Sequence, residues 1–282
     1  DALEYCRGNL KEAIERVKFN QYVFFKQWGK LKEYANKKGI GIFGDIPIYV
    51  DYDSADVWAH PEIFKIDPLS KRMVAVSGAP PDYFSETGQL WGNPVYNWKE
   101  LKKGGFGWWI KRISHNLRMY DLLRIDHFRG FVAYWEIPAE EMSAIKGKWV
   151  EAPAKEFFEV LQKTFSPLPI VAEDLGYITQ DVRDIMNYFG FPGMKVLLFA
   201  FNDDFSQNPY PPHRHIENCV VYTGTHDNNT AAGWFASEAT EKIKARLFSY
   251  IGRKPGVDKI SEEFVRMAMM SVARLCIFPV QD

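Results

Sequence analysis

The sequence is poor in cysteine, with only Cys6, Cys219 and Cys276 in 282 residues. They are too few and too scattered for a disulfide framework, and a reducing compartment fits them best. Cys219 and Cys276 stand in apolar runs and read as small buried hydrophobes. No excess of positive charge exists: 35 Lys and Arg face 36 Asp and Glu, for a net charge of -1. That excludes the electrostatic footprint of a nucleic-acid binder. No apolar run reaches membrane-spanning length, and no signal-peptide pattern opens the chain. A transit peptide would lie upstream of Asp1, so cytosol and plastid both stay open. Also missing are a Cys/His cluster with zinc spacing and a glycine-rich phosphate fingerprint after any strand-like run. No cofactor is implied.

Aromatic side chains are plentiful, at 16% of the chain, with 9 Trp, 14 Tyr and 21 Phe. Aromatic faces stack on the apolar faces of sugars, which is one reading; filling a core is the other, and it applies to most of these rings. The chain starts on Asp1 rather than Met and stops at Asp282, directly behind an apolar run. Both ends are therefore expected to be truncations of a longer protein.

Residues 8–38 show helical periodicity, with Leu10, Ile14 and Val17 on one face and Phe24, Trp28 and Leu31 on one face. Gly39 is the expected stop. Residues 51–108 are rich in Pro, Gly, Asp and Ser with little periodicity, and they read as a long functional loop or small subdomain. From there a regular alternation sets in. Strands are expected at 40–50, 122–126, 169–173, 194–201, 218–224 and 274–279. Helices are expected at 109–119, 154–164, 181–188, 238–250 and 262–270. Continuous apolar strands alternating with helices imply parallel pairing with helices on the outside. Six such strands fit a doubly wound open sheet, and equally a (β/α)8 barrel that lacks its first two units.

Polar side chains collect at the C-terminal ends of these runs. Asp45 follows Ile42, Phe43 and Gly44. Arg124 and Asp126 close one run, Glu173 and Asp174 another, and His226 and Asp227 follow a third through a Thr-Gly-Thr turn. Parallel barrels build their active sites at that end. Each acid has an alternative: Asp126, Asp174 or Asp227 would serve as a helix cap. Glu173 is a poor cap, and charged groups are rarely buried without a partner or a task. Arg124 and Asp126, two apart on a strand, share a face. A guanidinium beside a carboxylate favours its ionised form, which suits a nucleophile; a structural ion pair is the alternative.

The segment Leu123-Arg124-Ile125-Asp126-His127-Phe128-Arg129-Gly130-Phe131 resembles the nucleophile segment of the 4-α-glucanotransferases (amylomaltases or disproportionating enzymes), of the α-amylase clan. Val171 to Gly176 resembles their acid/base segment, and Thr223 to Asn228 the segment of their third carboxylate. Gly44 to Val50 resembles their third barrel strand. Gly78 to Phe84 and Gly88 to Pro94 resemble their long loop over the substrate cleft. The matches run in order and nearly end to end.

The resemblance implies a partial (β/α)8 TIM barrel over 1–282, with about strands three to eight present and an inserted loop or subdomain at about 51–108. It implies that Asp126 is the nucleophile, Glu173 the acid/base and Asp227 the third catalytic carboxylate. It also implies substrate contacts from Arg124, His226, Asp45, Asp82, Tyr83, Phe84, Gln89 and Trp91. Donor and acceptor would be α-1,4-glucans, with no metal, nucleic acid or membrane involved. An α-glucan hydrolase with the same carboxylates, or an inert glucan-binding fragment, are the alternatives.

Overall fold

The computed structural model describes residues 2–81, 85–202 and 205–282. Six strands carry the parallel arrangement: β1 (Phe43–Ile46), β4 (Leu122–Ile125), β7 (Ile170–Ala172), β8 (Gly193–Val196), β9 (Cys219–Tyr222) and β10 (Leu275–Ile277). They form two three-stranded parallel sheets, β1-β4-β7 and β8-β9-β10. The two sheets meet where the Ala172 N–H donates to Pro192 O at 2.9 Å and the Met194 N–H donates to Asp174 Oδ1 at 2.6 Å. The strands are shorter than the apolar runs that signal them. The residues directly after β4 and β7, Asp126 and Glu173, still donate backbone N–H bonds to the neighbouring strand.

Helices separate most of the parallel strands; between β8 and β9 the described residues hold only the 3-10 turns Leu197–Phe199 and Pro212–Arg214. After β1 and its insertions comes α5 (Gly107–Met119), and before β7 comes α6 (Ala154–Thr164). α7 (Gln180–Phe189) follows β7, and α8 (Ala231–Ser237), α9 (Glu241–Ile251) and α10 (Ile260–Met269) lie between β9 and β10. α6 shows why such segments fold: Ala154, Phe157, Phe158 and Leu161 recur at helical spacing and all are buried. α7 ends on Gly190 in the left-handed region, where glycine escapes the Cβ penalty. Two large apolar clusters result. One gathers the rings of Tyr96, Trp109, Phe128, Phe131, Phe157 and Phe158. The other packs Val171, Met194, Val196, Val220 and Val221 against α8 and α10. Most of the large, fully buried side chains are aromatic, so much of the aromatic excess fills the core. Cys219 is buried, but Cys276 is exposed, contrary to its apolar sequence context.

Residues 51–108 are more ordered than their composition indicates. They hold α3 (Ala55–Ala59), β2 (Ala75–Ala79), β3 (Gln89–Pro94) and α4 (Trp98–Lys103). β2 and β3 join β5 (Ala133–Pro138) and β6 (Lys148–Glu151) in an antiparallel sheet of order β3-β2-β5-β6. Half of that sheet therefore comes from beyond β4. The N-terminal helices are α1 (Ala2–Asn9) and α2 (Lys11–Lys37). α2 has no buried residue. It touches α5 through Trp28, whose Nε1 donates to Met119 O at 2.9 Å. Leu10, Val17, Phe24 and Leu31, read as its apolar faces, are exposed. Among the described residues, no helix is long and apolar enough to cross a membrane.

Candidate active site

Strand register brings the first acids together. Asp45 on β1 pairs with Arg124 on β4, and Arg124 pairs with Val171 on β7. One step beyond the strands, the Asp126 N–H donates to Ile46 O and the Glu173 N–H donates to Ile125 O, each at 3.0 Å. The ladder thus sets Asp45, Asp126 and Glu173 side by side along one rim.

Arg124 is the hub. Its side chain is 9% exposed, whereas those of Asp45 and Asp126 are 46% and 41% exposed. Nη1 donates to Asp45 Oδ2 and Nη2 to Asp126 Oδ1, both at 2.7 Å. Two parallel donors on a rigid fork hold both carboxylates in fixed directions. Burial works against the charge of Arg124, but Asp45 and Asp126 outweigh it and raise its pKa. No hydrogen bond from the described residues reaches Asp126 Oδ2.

Glu173 sits in different surroundings. It is 8% exposed. The His127 N–H donates to its Oε2 at 2.8 Å and the Leu175 N–H to its Oε1 at 2.6 Å. Burial first, and then the charge of Asp126, push its pKa from 4.5 up to about 7, against the Leu175 N–H and Arg124. Its neighbour Asp174 turns the other way and accepts from the β8 backbone, near Lys195 at 3.9 Å. Burial raises the Asp174 pKa as well.

A tight turn after β4 completes this corner. His127 has φ 47° and precedes the 3-10 turn Phe128–Phe131. The left-handed backbone is costly for a non-glycine residue and aims the His127 N–H at Glu173. The His127 ring meets Trp91 edge to face, with centroids 4.7 Å apart. Its Nε2 is buried without a hydrogen-bond partner, and burial lowers its pKa to about 4. The bare backbone of Gly130 packs against Ile48: a Cβ there would lie 2.6 Å from Ile48 Cδ1.

Two cavities border this cluster, one at Asp126 and one at Arg124. One, of about 610 Å³, is lined by Tyr49, Asp51, Trp91, Asn93, Arg112 and Asp126 among others. The second, of about 580 Å³, is lined by Arg124, Met194, Tyr222, Thr225, His226 and Asn228 among others. The β9–α8 loop therefore faces the same rim through His226. Asp227 is 69% exposed and lies 3.3 Å from His226 Nε2. It does not cap α8, because Thr230 does so by accepting from the Gly233 N–H at 3.1 Å. Neither does Asp126 cap the turn that follows it, whose cap residue is His127. Gln89 accepts from Trp91 Nε1 at 3.0 Å and holds that ring, without lining either cavity. Asp82, Tyr83 and Phe84 lie outside the described residues. Among the described residues no group of three or more His, Cys, Asp or Glu is placed to hold a metal ion.

Sequence reading passed over three contributors: the His127 backbone, Tyr49 in the cavity wall, and Arg129. The unusual φ of His127 has no signal in the sequence. Tyr49 and Arg129 stand inside recognisable motifs, yet their partners are far away along the chain.

The fold and site together define an α/β protein whose strand ends present two carboxyl groups in unlike environments. Such pairs divide acid and nucleophile roles in glycosidic chemistry. Comparison with known proteins is consistent with this class. The family model described as 4-alpha-glucanotransferase, glycoside hydrolase family 77, matches residues 1–282, and the chain belongs to that family. The 4-alpha-glucanotransferase of Aquifex aeolicus is 50% identical over 282 residues, covering 100% of this chain and 57% of that protein. That of Synechocystis is 51% identical over 284 residues, covering 100% and 56%. The amylomaltase of Streptococcus agalactiae, solved in complex with acarbose, superposes with a TM-score of 0.94 at 45% identity, over 99% of this chain and 56% of that one. The chain thus spans little more than half the length of the relatives it matches.

Proposed function

We propose that the protein carrying this chain is a 4-α-glucanotransferase that moves α-1,4-glucan segments between maltooligosaccharides or starch chains by a retaining double displacement. The observation that carries the reading is the contrast between Asp126 and Glu173. One is bound to a buried guanidinium and open to a cavity; the other is buried and holds its proton up to about pH 7. That is the division of labour between nucleophile and general acid.

In the first step Asp126 Oδ2 attacks the anomeric carbon while Glu173 gives its proton to the departing glycosidic oxygen. Arg124 holds Oδ1 and so orients the attacking oxygen. In the second step Glu173 takes the proton of an incoming 4-hydroxyl, which attacks the glycosyl-enzyme and restores the α linkage. Each Glu173 oxygen accepts one N–H bond, so each keeps a lone pair for the proton. Asp227 and His226 on the β9–α8 loop bind hydroxyls of the reacting sugar, as does Asp45, held by Arg124. Trp91, braced by His127 and Gln89, stacks on a sugar ring beside the cleavage point. Asp82, Tyr83 and Phe84 are read as further substrate contacts.

The fold that supports this chemistry is read as strands three to eight of a (β/α)8 barrel, in the order β1-β4-β7-β8-β9-β10. The residues at about 51–108 form the inserted substrate-cleft subdomain, with β5 and β6 completing its sheet. The test is incubation with maltotriose. Glucose with a ladder of longer chains is expected; glucose and maltose alone would show hydrolysis and overturn the transferase reading.

A further inference from the structure

The turn after β4 also carries Arg129, which is 7% exposed and has no place in the double displacement. Its guanidinium lies 3.8 Å from the centre of the Trp149 ring on β6 and 5.6 Å from that of Tyr177. Nη1 donates to Tyr177 O at 2.6 Å and to Thr179 Oγ1 at 3.2 Å. Nε is buried without a hydrogen-bond partner. A desolvated cation is costly unless its surroundings hold it, and here an aromatic face and two oxygens do so. Tyr177 and Thr179 belong to the segment that runs from Glu173 into α7. Trp149 belongs to the antiparallel sheet. Arg129 thus ties its own turn to two separate stretches of chain, and two residues before it the His127 N–H already grips Glu173.

We propose that Arg129 is a positioning residue that sets Glu173 against Asp126, by clamping the segment after β7 to the turn after β4 and to β6. The inference rests on the reading of Glu173 as the general acid. Without the clamp the 173–179 segment loosens, water reaches Glu173, and its carboxyl returns toward ordinary behaviour. The groups acting on Glu173 are Asp126, Arg124 and Asp174, with the Leu175 N–H; those acting on Arg129 are Asp181 and Tyr177. None of the groups acting on Glu173 is removed by changing Arg129, whereas the charge of Arg129 does act on His127; the basic limb, set by Glu173, is therefore the part of the profile that reports the clamp.

The experiment compares Arg129→Leu, Arg129→Lys and Thr179→Val with the unmodified protein carrying this chain, by kcat, KM and the pH dependence of kcat/KM on maltotriose. Arg129→Leu is expected to lower kcat roughly tenfold or more, with KM within about twofold, because the interactions it removes amount to one or two charged hydrogen bonds. The basic limb, where the acid loses its proton, is expected to move to lower pH. Arg129→Lys, which keeps the charge but not the fork, is expected to recover kcat only in part. Should Arg129→Leu fail to fold, Thr179→Val decides, with an expected loss in kcat of about threefold at unchanged KM. Unmodified kinetics and pH profile in folded Arg129→Leu, or in both Arg129→Lys and Thr179→Val, would overturn the proposal. So would a rise in KM with kcat unchanged. If the unmodified protein forms no ladder from maltotriose, it is the functional reading that fails.

Discussion

Replacing Glu173 with Gln should change how stability responds to pH, and the structure gives both sign and size. Burial and Asp126 raise the native pKa from 4.5 to about 7. The native state therefore keeps a proton that the unfolded chain releases. Stability falls as pH climbs through that interval, since burying the carboxylate charge opposes folding. A gap of about 2.5 pH units between native and unfolded pKa corresponds to ~3 kcal/mol. His127 contributes in the opposite sense. Its native pKa is lowered to about 4 by burial, so stability falls as pH drops from about 6.5 toward 4. A single pH curve would hide both, which is why the comparison with Glu173→Gln is informative. The charges acting on His127 are those of Asp126 and Arg129, and the variant keeps them. Gln also loses one acceptor facing the His127 and Leu175 N–H groups, but that cost does not vary with pH. The assay is the urea midpoint of both proteins at pH 4 and pH 8. The variant should gain ~3 kcal/mol relative to the parent between those pH values. A constant difference, or a relative loss at high pH, would refute the account of Glu173 as a buried acid.

Further outcomes follow from the same geometry. Arg124→Ala leaves Asp45 and Asp126 without their shared cation, and should cost about 3 kcal/mol in thermal unfolding and nearly all transfer activity. Arg124→Lys should keep most of the stability but little of the activity, since one ammonium cannot hold two carboxylates as a fork does. Gly44→Ala would place a Cβ 2.2 Å from the Tyr120 ring, and should lower stability by about 1–3 kcal/mol in chemical unfolding. Trp91→Ala removes the ring braced by His127, and should raise the share of glucose released by water relative to chain lengthening, read by chromatography of maltotriose products.

Much of the parallel framework was legible because its strands are unbroken apolar runs, and covered faces require nothing else. The antiparallel sheet was not. β2 contains Gly78, which reads as a breaker, yet a Cβ there would lie 2.2 Å from Gln89 O, so the glycine permits the close pairing. The polar run before α8 signalled a helix start, but of its residues only Thr230 supplies the cap. At the site, Asp45, Arg124, Asp126 and Glu173 could be found from their positions at strand ends. What decides their chemistry could not. The burial of Glu173, the left-handed His127 and the stacking of Arg129 on Trp149 all depend on chain segments distant in sequence. Helix periodicity located α2, but not that its apolar faces are exposed along most of its length.

The central claim is that Asp126 forms a covalent bond to the sugar while Glu173 manages the proton. It is tested most directly by treating the Glu173→Gln protein with an α-maltosyl fluoride and mapping the adduct by mass spectrometry. Fluoride leaves without a proton, so the first step proceeds; without a base at position 173, the second step stalls. A maltosyl group on the peptide containing Asp126, absent when Asp126 is also changed to Asn, is the predicted result. An adduct on Asp227 or elsewhere, or none under conditions where fluoride is released, would contradict it.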